Sequence, residues 1–213
     1  MPVLQRTRTI VAILLVLALP GLAKPAEPAA AIFDGETLSG WGVGPGDETL
    51  SEHWGVVDGM IYGENADKLG SILWTDAQYS DFEITLEYRS PTKAFDSGVF
   101  LRGESHQVQI GVSNSLKVDM TGCIYAPSDG RGKYPATSEK VAAVHRQGDW
   151  NKLRVVVSGD RIQSFLNNEP MVDYEAATMP DRGPIGLQLH AGQHIRISFR
   201  DITVKEIPTQ ETD

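Results

Sequence analysis

Cysteine is almost missing: Cys123 is the only one in 213 residues. That excludes an internal disulfide and a thiolate-rich metal site. Its surroundings, TGCIYA, read as a small buried residue, because a reactive thiol needs a base and exposure. Runs of Lys and Arg are missing too, and the formal net charge is −9. An acidic surface without a basic stripe argues against nucleic acid and anionic membranes as partners. No segment sustains a helical period for three turns; the only short-helix candidate is SEKVAAVHRQ, residues 138–147, with Ser138 as its cap. G-x-S-x-G, HExxH, EF-hand and P-loop patterns are all absent. The acidic residues show no spacing that announces a glycosidase carboxylate pair. Five histidines are present (His53, His106, His145, His190 and His194), without tight metal-ligand spacing. Gly192 between His190 and His194 reads as a turn rather than a helix. These patterns mark no certain cofactor; a divalent metal stays open, without support from ligand spacing.

What the sequence does have begins with a leader. Arg6 and Arg8 precede the apolar run IVAILLVLALPGLA, residues 10–23, and Gly21 and Ala23 are small residues at the exit. A charged start, a short apolar stretch and a small-residue exit describe a secretory signal over residues 1–23. An uncleaved anchor is the rival, but Pro20 and Gly21 shorten a run already below the roughly 20 residues of a span. The expectation is export to the periplasm or beyond, with no integral span after cleavage. Residues 24–31, KPAEPAAA, read as a Pro/Ala tether, 32–207 as one domain, and 208–213 as a tail. About 190 residues remain after the leader, enough for one well-filled core.

The rest is strand and turn. DFEITLEYR (81–89), SGVFLRG (97–103), HQVQIGV (106–112), GPIGLQLHA (183–191) and HIRISFRDITVKEI (194–207) carry period-two character. KLRVVVSGDRIQSFLN (152–167) is a hairpin turning at Ser158-Gly159-Asp160. Many short antiparallel strands in one domain predict an all-β, two-sheet sandwich in which each strand sends one face into the core. The long connections are 125–140 and 172–183, and long loops in compact domains are often functional.

Alternation sorts the side chains. Val108, Ile110, Leu187 and Leu189 face one way; Gln107, Gln109, Gln188 and His190 face the other. Glu87, Arg89 and Arg102 hold the same polar parity on their strands, so four strands can share one surface. An ordinary wet outer face is the plain alternative. This one, however, favours Gln, Arg and His, which make directed hydrogen bonds, and Gly, which is otherwise poor in strands. Convergent groups of that kind suit sugar hydroxyls.

Eight stretches then occur in register: IFDGETLSGW (32–41), W-x-V-x-D-G (54–59), SDFEITLEYR (80–89), DSGVFLR (96–102), QVQI (107–110), TGCIY (121–125), GDWNKLRVVVSGDRIQSFLN (148–167) and GPIGLQLH…ISFRDITVKEI (183–207). Together they resemble the 3-keto-disaccharide hydrolase domain family, formerly a domain of unknown function, over roughly residues 31–207. The resemblance implies a concanavalin A-like jelly roll. It also implies cleavage of glycosidic bonds in sugars oxidised at C3, where the ketone acidifies the C2 proton, the aglycone on C1 leaves by elimination, and water adds back. Such a route needs a base near C2, a stabiliser for the enolate oxygen and a proton for the leaving group.

On that resemblance His190 is the acid/base, since an imidazole titrates near neutrality. Arg102 would hold the C3 oxygen, and Gln107, Gln109 and Gln188 would orient hydroxyls, with Glu87 on the same surface. Asp119, the third catalytic candidate, flanks with Lys117 and Tyr125 a loop placed to close over the sheet. Their plain readings are a turn cap, a solvated lysine and a core tyrosine. Trp74 is the aromatic placed to reach a ligand, whereas Trp41, Trp54 and Trp150 read as core. One departure stands out: many members of the family carry a glutamate where this chain has Gln107, and an amide takes no proton and binds a divalent cation weakly. Glu87, Glu104 and Asp119 are the carboxylates that would replace it. Three readings therefore stay open: an exported enzyme acting on 3-keto-glycosides, a non-catalytic carbohydrate-binding module, and an interaction domain of an envelope assembly.

Overall fold

A computed structural model describes residues 28–208 of the chain. The expected signal segment 1–23, the first half of the tether (24–27) and most of the tail (209–213) lie outside the described residues. Fourteen strands follow in order. The first seven are β1 (Ala30–Ala31), β2 (Trp41–Val43), β3 (Trp54–Val57), β4 (Met60–Glu64), β5 (Ser71–Thr75), β6 (Phe82–Arg89) and β7 (Asp96–Leu101). The others are β8 (His106–Gly111), β9 (Ile124–Tyr125), β10 (Asn151–Ser158), β11 (Arg161–Leu166), β12 (Glu169–Glu175), β13 (Gly186–Leu189) and β14 (Arg196–Glu206). One four-residue helix, α1 (Val141–Val144), falls inside the sequence-predicted helix. Ser138 accepts a bond from Lys140 N through its hydroxyl at 3.3 Å, but Lys140, not Ser138, stands at the cap position.

The strands form two antiparallel sheets, as the alternation predicts. One has eight strands, ordered β12-β11-β10-β6-β14-β4-β3 with β1 added beside β14; the other has six, ordered β2-β5-β13-β7-β8-β9. Ala30 and Ala31, assigned to the tether from composition, pair with Val204 and Thr203. Between the sheets lie Phe82, Ile84, Leu86 and Tyr88 of β6 and Val155 and Phe199 from its neighbours. The six-stranded sheet contributes Val99, Val108, Ile110, Leu187 and Leu189, all essentially sealed from solvent. Each such aliphatic or aromatic side chain contributes about 1.5–3 kcal/mol on burial. Cys123 is fully buried among them, and that burial pushes its thiol up.

Period-two alternation identifies the faces of a strand but not the sheet it joins, and here the structure corrects the sequence. β6 sits in the eight-stranded sheet, so Glu87 and Arg89 lie on the opposite outside of the sandwich from the glutamines. There Glu87 accepts two bonds from Arg200 at 2.7 and 2.9 Å, and Glu83 accepts one from Arg154. Trp150, expected in the core, lies on that same outer side. It is only half-buried, with the guanidinium groups of Arg200 and Arg89 at 3.8 and 4.9 Å from its ring. Trp41 and Trp54 are buried as expected.

Candidate functional site

The outer face of the six-stranded sheet carries one continuous register row. Gly42 pairs with Trp74, Trp74 with Gly186, Gly186 with Phe100, Phe100 with Gln107, and Gln107 with Tyr125. The next positions of the same parity are Gln188, Gly98 and Gln109, followed by His190 and Asp96. Side chains two apart on a strand share a face, so this surface assembles from β5, β13, β7, β8 and β9. A cavity of about 280 Å³ opens over its polar half. Gln107, Gln109, Gln188 and His190, grouped from alternation alone, all line it, as does Tyr125.

A glycine decides how the amides meet. A Cβ at Gly98 would fall 1.8 Å from Gln107 Nε2 and 2.5 Å from its Cδ. The bare backbone of β7 therefore lets the Gln107 side chain lie across it and donate to Gln188 Oε1 at 2.7 Å. With that bond made, Gln107 Oε1 and Gln188 Nε2 are left for hydroxyl groups: one acceptor and one donor side by side. Gln109 is used differently. Its Nε2 donates to Asp96 Oδ1 at 2.7 Å, and its Oε1 accepts from the Tyr134 hydroxyl at 3.0 Å. Both ends are engaged, so Gln109 braces its neighbours rather than grasping a ligand.

Asp96 is the carboxylate that sequence reasoning missed. It is 4 % exposed, held by Gln109 and by the Asn114 N–H, and its Oδ2 lies 4.0 Å from His190 Nε2. Its signal was the parity of the DSGVFLR stretch, in which Asp96, Gly98 and Phe100 alternate with Ser97, Val99 and Leu101. Each of the five histidines faces a different carboxylate. In four pairs the separation is 3.2 Å or less, and in His190–Asp96 it is the longest. His190 places Nδ1 2.7 Å from its neighbour's carbonyl, Ala191 O. An Nδ1–H donated there leaves Nε2 as the basic nitrogen, turned to the cavity side. Lys133 and Tyr134 also line the cavity, from the 125–140 connection whose length marked it for function. Lys133 is exposed and forms no ion pair among the described residues. Burial pushes the Tyr134 hydroxyl up to about 12, so it stays a protonated donor.

Besides Glu87 on the opposite sheet and Trp74 in a neighbouring cleft, three candidates fall outside this cavity. Arg102 follows β7 in the left-handed region, φ +55°, where strand alternation has ended and parity no longer places a side chain. It is 3 % exposed, and its guanidinium donates to the carbonyls of Ser80, Gly159 and Pro180 and to Asp81 Oδ1, at 2.6–3.0 Å. Four of its five N–H donors are spent on the protein and the side chain is buried away from the cavity, so Arg102 pins three segments together and holds no substrate oxygen there. Asp119 lines a different cavity, of about 200 Å³, with His145 and the 90–95 turn. Burial there opposes its ionisation, but bonds from His145 at 2.6 Å and Thr121 at 2.6 Å outweigh burial and hold the carboxyl at about 2. Lys117, also left-handed at φ +58°, is exposed and donates to Asn114 Oδ1 at 2.7 Å, outside the cavity lining.

Trp74 borders a neighbouring cleft of about 510 Å³ on the same sheet face, together with Glu104. Its ring lies 5.6 Å from that of Phe100. Among the described residues, no three His, Cys, Asp or Glu side chains converge at metal-ligand distance. No helix among them is long and apolar enough to cross a membrane.

With this geometry in hand, known proteins give a consistent frame. The 3-keto-alpha-glucoside-1,2-lyase-like domain matches residues 28–205. Among solved structures, a candidate glycosyl hydrolase from Parabacteroides distasonis ATCC 8503 superposes with a TM-score of 0.64 at 16 % identity, covering 84 % of this chain and 94 % of that one. The carbohydrate-binding module CBM66 of Bacillus subtilis gives 0.51 at 14 % identity, over 78 % and 96 % of the two chains. The lumenal domain of VIP36 in its Ca²⁺/Man3GlcNAc-bound form gives 0.59 at 10 %, over 85 % and 89 %. At such identities the likeness is one of fold, a sandwich of the galectin and concanavalin A type. No curated protein matches the chain.

Proposed function

The chain belongs to the 3-keto-alpha-glucoside-1,2-lyase-like domain family, and from that premise we propose that it cleaves 3-keto-glycosides in the Asp96–His190 cavity. The observation that carries the reading is the free Nε2 of His190. It is the one histidine nitrogen that stands off its carboxylate, in a cavity whose floor is a pair of half-satisfied amides. The keto-ring lies on Gln107 and Gln188, which exchange hydrogen bonds with its hydroxyls. His190 Nε2 takes the C2 proton, and the resulting imidazolium faces the Asp96 carboxylate. The electron pair of the C2–H bond moves toward C3, and the Lys133 ammonium meets the enolate oxygen. As the enolate collapses, a C1=C2 double bond forms and the C1–O bond breaks. The departing oxygen takes the proton from His190. Water adding across the new double bond completes a net hydrolysis. Export, proposed from the leader pattern at residues 1–23, puts this reaction outside the cytoplasm.

A binding-only module is the second reading, favoured by Gln107, an amide where many members of the family carry a carboxylate. One experiment separates the two. The purified chain is incubated with a methyl 3-keto-glucoside, and release of methanol is followed for wild type and His190→Ala. Turnover that falls at least 100-fold in the variant while calorimetric binding persists supports catalysis by His190. Full turnover in His190→Ala removes the assignment, and saturable binding without turnover in the wild type establishes the module.

A further inference from the structure

We propose that the Asp119–His145 cavity is a second ligand site, separate from the Asp96–His190 cavity, and that it takes a small phenol: one aromatic ring bearing a free hydroxyl. Asp119 accepts a hydrogen bond from His145 Nδ1 at 2.6 Å and one from the Thr121 hydroxyl at 2.6 Å. The His145 side chain is 3 % exposed and lines the cavity, its ring 6.1 Å from that of Tyr88. With Nδ1–H given to the carboxylate, Nε2 carries the lone pair, and it makes no hydrogen bond among the described residues. A carboxylate behind an imidazole makes the far nitrogen more basic. A buried acceptor left without a donor is costly. The site therefore calls for a ligand with an O–H or N–H to give.

The walls set what else the ligand carries. Pro91, Ala94, Phe95 and Val112 line the cavity with apolar surface, and its volume is about 200 Å³. A liquid water takes about 30 Å³, so the space equals on the order of seven waters: room for a single substituted ring and not for two. An aromatic ring matches Phe95. A phenolic hydroxyl, titrating at about 10, is a better donor to a base than an aliphatic one. Asp119 beside the imidazole and a formal net charge of −9 on the chain disfavour an anion. Lys93, exposed in the lining, is the group that would favour one, which makes benzoate the competing probe. The enclosure is pinned. Ser90 Oγ donates to Arg196 O at 2.6 Å and Thr92 Oγ1 accepts from Arg196 N at 3.0 Å, which fixes the 90–95 turn. A Cβ at Gly111 would run into the Phe95 carbonyl, so glycine lets the end of β8 close against that turn. Phe95 lines this cavity and Asp96, the next residue, lines the other; the two share no lining residue.

The test is calorimetry and saturation-transfer NMR at about pH 8, above the ordinary imidazole range, with phenol, anisole and benzoate as probes. Phenol binds the wild type one to one, and anisole, which has the ring without the O–H, binds at least tenfold more weakly. His145→Ala erases that difference. Gln147→Trp, at an exposed position of the lining, leaves the dyad in place and weakens phenol at least tenfold, so the location is tested even where His145→Ala fails to fold. His190→Ala leaves phenol binding unchanged. Anisole equal to phenol, benzoate tighter than phenol, or no phenol binding at all overturns the assignment. So does a phenol preference that survives His145→Ala, phenol binding that Gln147→Trp leaves intact, or phenol binding that disappears in His190→Ala. None of these readouts depends on turnover of 3-keto-glycosides, so failure here leaves the proposed function untouched.

Discussion

Gly98→Ala is the most economical way to damage the amide pair without touching it. The new methyl would sit 1.8 Å from Gln107 Nε2, 2.5 Å from Cδ and 2.7 Å from Cγ. No small adjustment relieves three such contacts, so Gln107 must swing off β7. It then forfeits the 2.7 Å bond to Gln188, a net loss of about 1 kcal/mol. Crowding adds about 1–3 kcal/mol. Against this, alanine is favoured over glycine in a strand by roughly 0.5–1 kcal/mol, and Gly98 is not among the left-handed positions. Stability should fall by about 1–3 kcal/mol, a drop of several degrees in Tm for a domain of this size. Sugar binding should suffer more visibly. Two ring hydrogen bonds lost or misdirected weaken Kd about 10- to 100-fold. Calorimetry with methyl 3-keto-glucoside in a His190→Ala background avoids substrate consumption. The decisive comparison is with Gln107→Ala. Because the methyl acts through Gln107, the double variant should bind no worse than Gln107→Ala alone and recover stability. A Gly98→Ala variant that binds like its parent, or effects that simply add, would refute the reasoning.

Arg102→Met should cost about 3 kcal/mol or more, since Asp81 and three carbonyls are left facing each other without their donor. Chemical denaturation measures it, while turnover per folded molecule stays near wild type; a folded but inactive variant would return Arg102 to the catalytic site. Asp119 links stability to acidity. Its carboxyl is held at about 2 against an ordinary 3.8, so its contribution of about 2 kcal/mol is complete above pH 4 and is lost as pH falls toward 2. The Tm difference between wild type and Asp119→Asn should therefore shrink across that window, and a difference independent of pH would show that His145 and Thr121 do not select the charged form.

The limits of the sequence follow from what alternation encodes. Within a strand it is reliable: the hairpin over 152–167, found at 151–166, and the common parity of Gln107, Gln109, Gln188 and His190 are all visible in it. Between strands it is silent, because hydrogen bonding in a sheet is sequence-independent. Glu87 has the right parity on the wrong sheet for that reason. Alternation also stops where φ turns positive, and both Arg102 and Lys117 stand at such points. Asp96 shows the opposite case. Its parity was correct, but it opens the strand, and strand starts are poorly marked when the first residue is one that also favours turns. Lys133 and Tyr134 come from a loop, where no periodicity exists to place them.

Where the domain is held also matters. β1 and β14 lie side by side in the eight-stranded sheet, so the described chain begins and ends on one layer while the Asp96–His190 cavity opens from the other. The two sheets of a sandwich are about 10 Å apart, and the core fills that gap. A support or a label joined at either end of the described residues therefore meets the eight-stranded layer, not the layer that carries the cavity.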